Sequence, residues 1–381
     1  MIVTLLILTC GLLAGLGILY TLVAALLVAR FARRAAIVTT TPVPVTILKP
    51  LYGAEPRLTE NLESFLDQDW DAPIQLLCGV HAESDPAFAA IQVLRARRPA
   101  DDITCIVDAT RHGANAKIGN LVNMMPAARH EVVIFSDSDM AAGPDYLRRV
   151  VPALGQAGVG AVTCLYHGRG DAGFWSVLGA AGLSYQFLPS VIVSLALDAG
   201  KVCMGSTIAL RRATLDRIGG LARFADVLAD DHAVGSAVRE CGLTVVIPPM
   251  VMAHGSIDSS LGDLVRHELR WSKTVRQLSP AGYAGMVMTH PLPFALALTM
   301  LSPPAGAVLT AATLAARLLL KRAIDRFCGA RTASPWLLPL RDMLSFVVFL
   351  GGFGTASVDW RGERLRMDDE GRISANAETA P

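Results

Sequence analysis

Residues 2–28 carry no charged side chain, and Arg30, Arg33 and Arg34 follow closely. About 20 consecutive apolar residues cross a bilayer as a helix, so this run is long enough to span. A cleaved signal peptide places basic residues before a shorter apolar stretch; here they come after it. The run predicts a retained anchor over residues 1–30, with the Arg cluster cytoplasmic by the positive-inside bias. The carboxyl-terminal third offers more candidates. Residues 283–301 are apolar but hold His290 and Pro291, residues 303–320 are apolar apart from Arg317, and residues 336–355 are interrupted by Arg341 and Asp342. A charge pair inside a span is costly unless it is partnered or near an interface, so the last segment reads as shorter or re-entrant. We expect two or three spans over residues 281–356 and a polar tail over 357–381.

Between these ends, strand and helix patterns alternate. Strands are predicted at 45–48, 74–80, 103–107, 132–135, 208–210 and 243–247, and helices at 56–68, 86–97 and 233–241, by apolar periodicity and by Pro at a helix start. Such alternation predicts an α/β domain over residues 43–280, with a parallel or mixed sheet and helices on both faces. Lys49, Glu83, Asp85, Asp137 and Asp139 all fall where the strands end. Ligands of open α/β sheets bind at that edge. The net charge of +1 gives no electrostatic footprint for nucleic acid. The seven cysteines are scattered, without the spacing of a metal site, and read as small core residues in a reducing compartment.

Several short patterns carry candidate chemistry, each beside a plainer reading. Asp137-Ser-Asp139 follows the strand at 132–135. In extended chain both carboxylates would face one hard divalent cation and its diphosphate; the plainer reading is a turn built on Asp and Ser. Gly113-Ala-Asn-Ala-Lys117 reads as a helix start that would favour an anion, or as an ordinary capped helix with a solvated lysine. Gly205-Ser206 would let backbone approach a ligand, or form a bulge. Asp230-Asp231 opens the helix at 233–241, where capping and the helix dipole also explain acids. His267, Arg270 and Trp271 would share one helix face. They would serve either phosphate oxygens or lipid headgroups. The apolar stretch 174–197, with Pro189 inside it, reads as a surface-lying segment or a core helix pair.

Taken in order, the acid loop at Asp85, the Gly-x-Asn-x-Lys loop, Asp137-Ser-Asp139, Gly205-Ser206, Asp230-Asp231 and Arg270-Trp271 resemble the inverting GT-A glycosyltransferases of processive type. More narrowly, they resemble the ceramide glucosyltransferase family and its bacterial hopanoid-associated branch. The resemblance covers about residues 45–278 and the anchor arrangement. It implies a GT-A-type nucleotide-sugar domain with a mixed sheet and transmembrane helices at both ends. By it, Asp85 matches the aspartate that contacts the uridine base, Asp137 the aspartate near the diphosphate and its metal, and Asp231 the general base. Arg270 and Trp271 match the closing Arg-Trp. Asp139 stands where ceramide-type members often have Gly and restores a two-aspartate metal motif. His267 departs from the Gln or Arg of the family pattern.

The implied reaction is displacement at a sugar's anomeric carbon by a lipid hydroxyl, with inversion and loss of UDP. Asp231 would take the proton. Asp230, beside it, would raise its pKa by like charge. Asp137 and Asp139 would hold Mg or Mn. Asp85, Lys117, Asp137, His267, Arg270 and Trp271 would bind the donor, while Gly205, Ser206 and Asp230 face the acceptor. The expected setting is the inner cell membrane with the catalytic domain cytoplasmic. The hopanoid branch implies N-acetylglucosamine and bacteriohopanetetrol; the ceramide branch implies glucose and ceramide. A polysaccharide synthase would require more spans than are expected here.

Overall fold

A computed structural model of the chain describes residues 1–35, 41–198 and 202–354, and the backbone of three short strands, Ser357–Trp360, Glu363–Met367 and Ile373–Ala375. Residues 36–40, residues 199–201 and the rest of the tail lie outside the described residues. The chain forms two compact units. One is built on Arg34–Tyr166 and Gly200–Ile257, the other on Met1–Arg33, His167–Ala199 and Asp258–Asp369.

The first unit is organised by a seven-stranded mixed sheet. Its strands are β1 (Val45–Pro50), β2 (Ile74–Val80), β3 (Asp102–Val107), β4 (Val132–Ser136), β6 (Val159–Thr163), β8 (Thr207–Arg211) and β9 (Thr244–Val246). The spatial order is β3-β2-β1-β4-β8-β6-β9. β1 is parallel to both β2 and β4, whereas β8 runs antiparallel to β4 and β6. β5 (Met140–Ala141) pairs antiparallel with β10 (Val251–Ser256) in a smaller sheet. β7 (Leu165–Gly170) carries the chain out of this unit. The expected strands all form. The sequence reading omitted β6, whose Val-Gly-Ala-Val-Thr pattern has neither alternation nor bulk.

The core explains why the sheet holds. Leu48, Leu77, Val133, Phe135 and Leu210 are buried with Ile118, Leu121 and Met124 from the helix Ala116–Met124. β1, β2 and β4 read as continuous buried runs, as interior parallel strands covered on both faces should. The expected helix at 56–68 is shorter, Leu58–Glu63, and continues as turns.

The second unit holds the apolar helices. Ile2–Ala32, Phe174–Ala196 and Pro303–Cys328 are each long and apolar enough to cross a membrane. Pro280–Thr289 and Pro291–Leu301 form a pair bent by 55° at His290, where Pro291 removes a backbone donor. The segment at 174–196 is one interrupted helix with a π turn at Leu183–Phe187, and is largely buried within its unit. The last helix, Leu337–Gly351, has only 15 residues, below the length of a straight span. Its charge pair is partnered. Arg317 meets Asp342 through Nε (2.9 Å) and Nη2 (2.6 Å), and Arg341 meets both oxygens of Glu268 at 2.6 and 2.7 Å.

Candidate active site

Lys117 sits in the first turn of the helix Ala116–Met124, which Asn115 caps by accepting from the Ile118 N–H (3.1 Å). That helix start is clamped to a distant loop. Asn115 N–H donates to the Ala225 carbonyl (2.7 Å) and Ala114 N–H to Asp226 Oδ1 (2.8 Å). Gly113 is needed for this close approach, since a Cβ there would lie 2.6 Å from the Ala225 oxygen. Its role is this contact, since its backbone does not take a positive φ.

From that position Lys117 Nζ reaches three sequence motifs. It lies 2.6 Å from Asp137 Oδ1 and 3.7 Å from Asp230 Oδ2, and it donates to the Gly205 carbonyl (3.0 Å). The other side of Gly205 is held by Asp231, whose Oδ2 accepts the Gly205 N–H (2.8 Å) while its Oδ1 accepts the His232 N–H (2.7 Å). A Cβ on Gly205 would stand 3.2 Å from Asp231 Oδ2, so the residue permits the acid to approach. Ser206 closes the ring: its carbonyl accepts from the Asp137 N–H and from Ser136 Oγ, both at 3.1 Å. Ser206 Oγ is buried and makes no hydrogen bond. Asp230 and Asp231 start the helix Asp230–Glu240, but the N-cap is Ala229, with no side-chain cap bond. The acids therefore face Lys117 and Gly205, and Asp231 in addition accepts one first-turn amide of its own helix.

Protonation follows this packing. Burial raises Asp230 to about 6, with Lys117 opposing and Asp231 adding repulsion. Burial also leads the rise of Asp231, against Lys117 and the two backbone bonds. Desolvation, more than the like charge next door, thus drives the pair upward. Lys117 is itself partly buried, which disfavours its charge, but the Asp137 and Asp230 carboxylates outweigh that and raise it.

Asp137-Ser-Asp139 forms a turn between β4 and β5, not a continued strand. Asp139 Oδ2 lies 3.3 Å from His254 Nε2, and its Oδ1 is buried without a hydrogen bond. Burial raises Asp139, with His254 opposing. Glu55 lies close by and accepts from Ser138 Oγ (2.8 Å). It is raised to about 7, by burial and then by the Asp139 charge. An orphaned carboxylate oxygen beside a second aspartate fits a divalent cation. Among the described residues no three metal-ligating side chains converge, so such an ion would complete its shell from diphosphate oxygens and water, as Mg2+ commonly does.

The remaining expected residues are placed as follows. Asp85 caps the helix Pro86–Arg97 and also accepts the Gly53 N–H (2.8 Å), tying the loop after β1 to the end of β2. His267, Arg270 and Trp271 lie on the helix Leu261–Leu278 of the second unit. There the His267 ring meets the Trp271 ring edge-on at 4.7 Å, and His267 Nδ1 lies 3.3 Å from Asp258 Oδ1.

Residues 9–373 match the pattern of Glycosyl transferase family 21. The chain belongs to this family. A ceramide glucosyltransferase of Caenorhabditis elegans is 25% identical over 231 residues, covering 60% of this chain and 49% of that protein. A ceramide glucosyltransferase of Candida albicans is 29% identical over 121 residues, covering 29% of this chain and 22% of that protein. The chain spans about half the length, or less, of these relatives. Among solved structures, a mannosyltransferase from Pyrobaculum calidifontis in complex with GDP-Man and Mn2+ is 20% identical, with a TM-score of 0.48, covering 89% of this chain and 99% of that one.

The family member therefore brings Lys117, Asp137, Gly205, Ser206, Asp230 and Asp231 into one cluster. Sequence reasoning gave no role to Glu55, Asn61 or His254, and noted Lys49 only as a polar residue at a strand end. A lone polar residue in a loop or short helix carries no pattern that would reveal its target.

Proposed function

We propose that this chain transfers a sugar from a UDP-sugar to the hydroxyl of a membrane lipid, with inversion. The observation that carries the reading is the placement of Lys117 between Asp137, Gly205 and Asp230, with Asp231 on the other side of Gly205. One fixed cation beside an acid pair suits a reaction that expels a diphosphate while removing a proton.

In this account the lipid hydroxyl oxygen forms the new bond to the anomeric carbon. The bond from that carbon to the diphosphate oxygen breaks with its electron pair. Asp231 accepts the hydroxyl proton as the bond forms, and its two backbone N–H bonds fix its direction. Lys117 meets negative charge growing on the leaving group. A divalent cation on Asp137 and Asp139, when bound, neutralises part of that charge. Asp85 contributes to the uridine side, as do Arg270, Trp271 and His267 to the diphosphate side, by family resemblance. The long apolar helices fit a membrane enzyme that draws its acceptor from the bilayer, and the Arg cluster after residue 28 favours a cytoplasmic face.

The acceptor has two readings. Asp139 and His267, which depart from the ceramide-type pattern, favour the hopanoid branch with N-acetylglucosamine and bacteriohopanetetrol. The names of the curated relatives favour glucose and ceramide. The test of the mechanism is Asp231→Asn. Transfer should be abolished while UDP-sugar binding persists. Loss of binding in a folded variant would assign Asp231 to donor recognition instead.

A further inference from the structure

We propose that Lys49 and Asn61 are positioning residues for this reaction, gripping the backbone of the Asp137-Ser138-Asp139 turn so that its two carboxylates meet the donor diphosphate and its cation. The inference rests on the reading of that turn given above.

β4 ends at Ser136, and beyond it the backbone supplies the Asp137 carbonyl only a long bond from the Met140 N–H (3.3 Å) and the Asp139 carbonyl the Gly255 N–H of β10 (2.8 Å). The first strand and helix of the unit add side-chain donors to this turn. Lys49, wholly buried near the end of β1, donates from Nζ to the Asp137 carbonyl (2.8 Å) and to Ser136 Oγ (3.1 Å). The Met140 carbonyl is 3.5 Å away. The amine lies 3.5 Å from the centre of the Phe65 ring, which leaves it little freedom to swing away. Asn61, 1% exposed on the helix Leu58–Glu63, donates from Nδ2 to the next carbonyl, that of Ser138 (3.1 Å). Two consecutive carbonyls of the turn are thus each taken by a buried side-chain donor.

A lysine is a poor choice for filling such a space. Burying its amine is costly unless the donors are used, and a methionine would fill a similar volume. All three of its hydrogen bonds go to residues 136–140, the segment that carries both aspartates. Lys49 meets the cluster around Lys117 at the Asp137 backbone carbonyl, not at its carboxylate. Their influence runs through the shape of the turn, and misplacement of a reacting group by about 1 Å can cost on the order of 100-fold.

The test uses the full chain in lipid nanodiscs, comparing wild type with Lys49→Met and Asn61→Ala. Mn2+ binding in the presence of UDP is titrated by electron paramagnetic resonance, and donor and acceptor KM are measured separately. Either variant should weaken Mn2+–UDP affinity by about 10-fold or more and raise donor KM in step, leaving acceptor KM within about twofold. A merely stabilising role would lower the unfolding temperature and the number of competent sites, with unchanged affinity in the folded fraction. Folded Lys49→Met with affinity within about twofold of wild type would overturn the proposal. Should Lys49→Met fail to fold, Asn61→Ala decides by the same readings. A wild-type protein that binds Mn2+–UDP but transfers no sugar would refute the proposed activity, and the affinity comparison would still decide the role of Lys49 and Asn61.

Discussion

Lys117 Nζ stands 2.6 Å from Asp137 Oδ1 and shares its reach with Asp230 and the Gly205 carbonyl. Residues far apart in sequence are thereby held around one ammonium. The helix start that carries it is fixed by Asn115 and by the 225–227 loop, so the charge is placed by backbone contacts as well as by its carboxylate partners.

Replacing that ammonium is the sharpest electrostatic perturbation available. Lys117→Met would leave Asp137 and Asp230 facing each other without a counterion. We expect a stability loss of about 1–3 kcal/mol, below the roughly 3–5 of a fully buried pair, because Asp137 keeps 31% of its side chain exposed. Transfer should fall by about 100-fold or more through loss of charge stabilisation. Calorimetry and steady-state kinetics check both. A variant with near-normal transfer would remove Lys117 from the machinery.

The acid pair sets a pH dependence. Asp231 must be ionised to accept a proton, and it titrates jointly with Asp230. Both are raised, Asp230 to about 6. The rate should therefore climb with pH through a limb displaced upward from that of an ordinary aspartate, near 4. The sign for stability is opposite. A carboxylate raised in the folded state favours folding in acid, and that contribution is lost as pH rises through about 6. A pH profile of kcat that stays flat down to about 4.5 would exclude the pair as the base.

Much of the first unit was readable from the chain. The strands at 45–48, 74–80 and 132–135 are runs of buried β-branched and aliphatic residues, and their dense apolar character leaves few alternatives. The motif order identified the family. What sequence did not supply was direction. Of the two readings of Asp137-Ser-Asp139, one face of a strand or a turn, the structure has the turn, which sends Asp137 to Lys117 and Asp139 to His254. Nor did sequence reveal that Arg341 and Asp342, adjacent on one helix, answer separate partners, Glu268 and Arg317. Adjacent helical residues point about 100° apart, and only the packing of other helices shows what each one meets.

Those partners make a stability prediction for the helical unit. The Arg317 and Asp342 side chains are only 5% and 6% exposed. Asp342→Asn would leave a buried guanidinium without its counterion and should cost roughly 3–5 kcal/mol, read as earlier thermal unfolding in detergent. The double change Arg317→Met with Asp342→Leu should recover most of that loss, because it removes both charges together. Equal unfolding temperatures for wild type and Asp342→Asn would show that the pair contributes nothing.

The central claim is sugar transfer to a lipid hydroxyl, and the most direct measurement is the product itself. Nanodiscs containing the full chain are incubated with UDP-N-acetylglucosamine or UDP-glucose, with bacteriohopanetetrol or ceramide, and with Mn2+ or a chelator. The lipid is then weighed by mass spectrometry and its anomeric linkage read by NMR. One glycolipid of inverted configuration is expected, formed with an equivalent of UDP and lost on chelation. Retained configuration, or UDP release with no glycosylated lipid from any pairing, would contradict that claim.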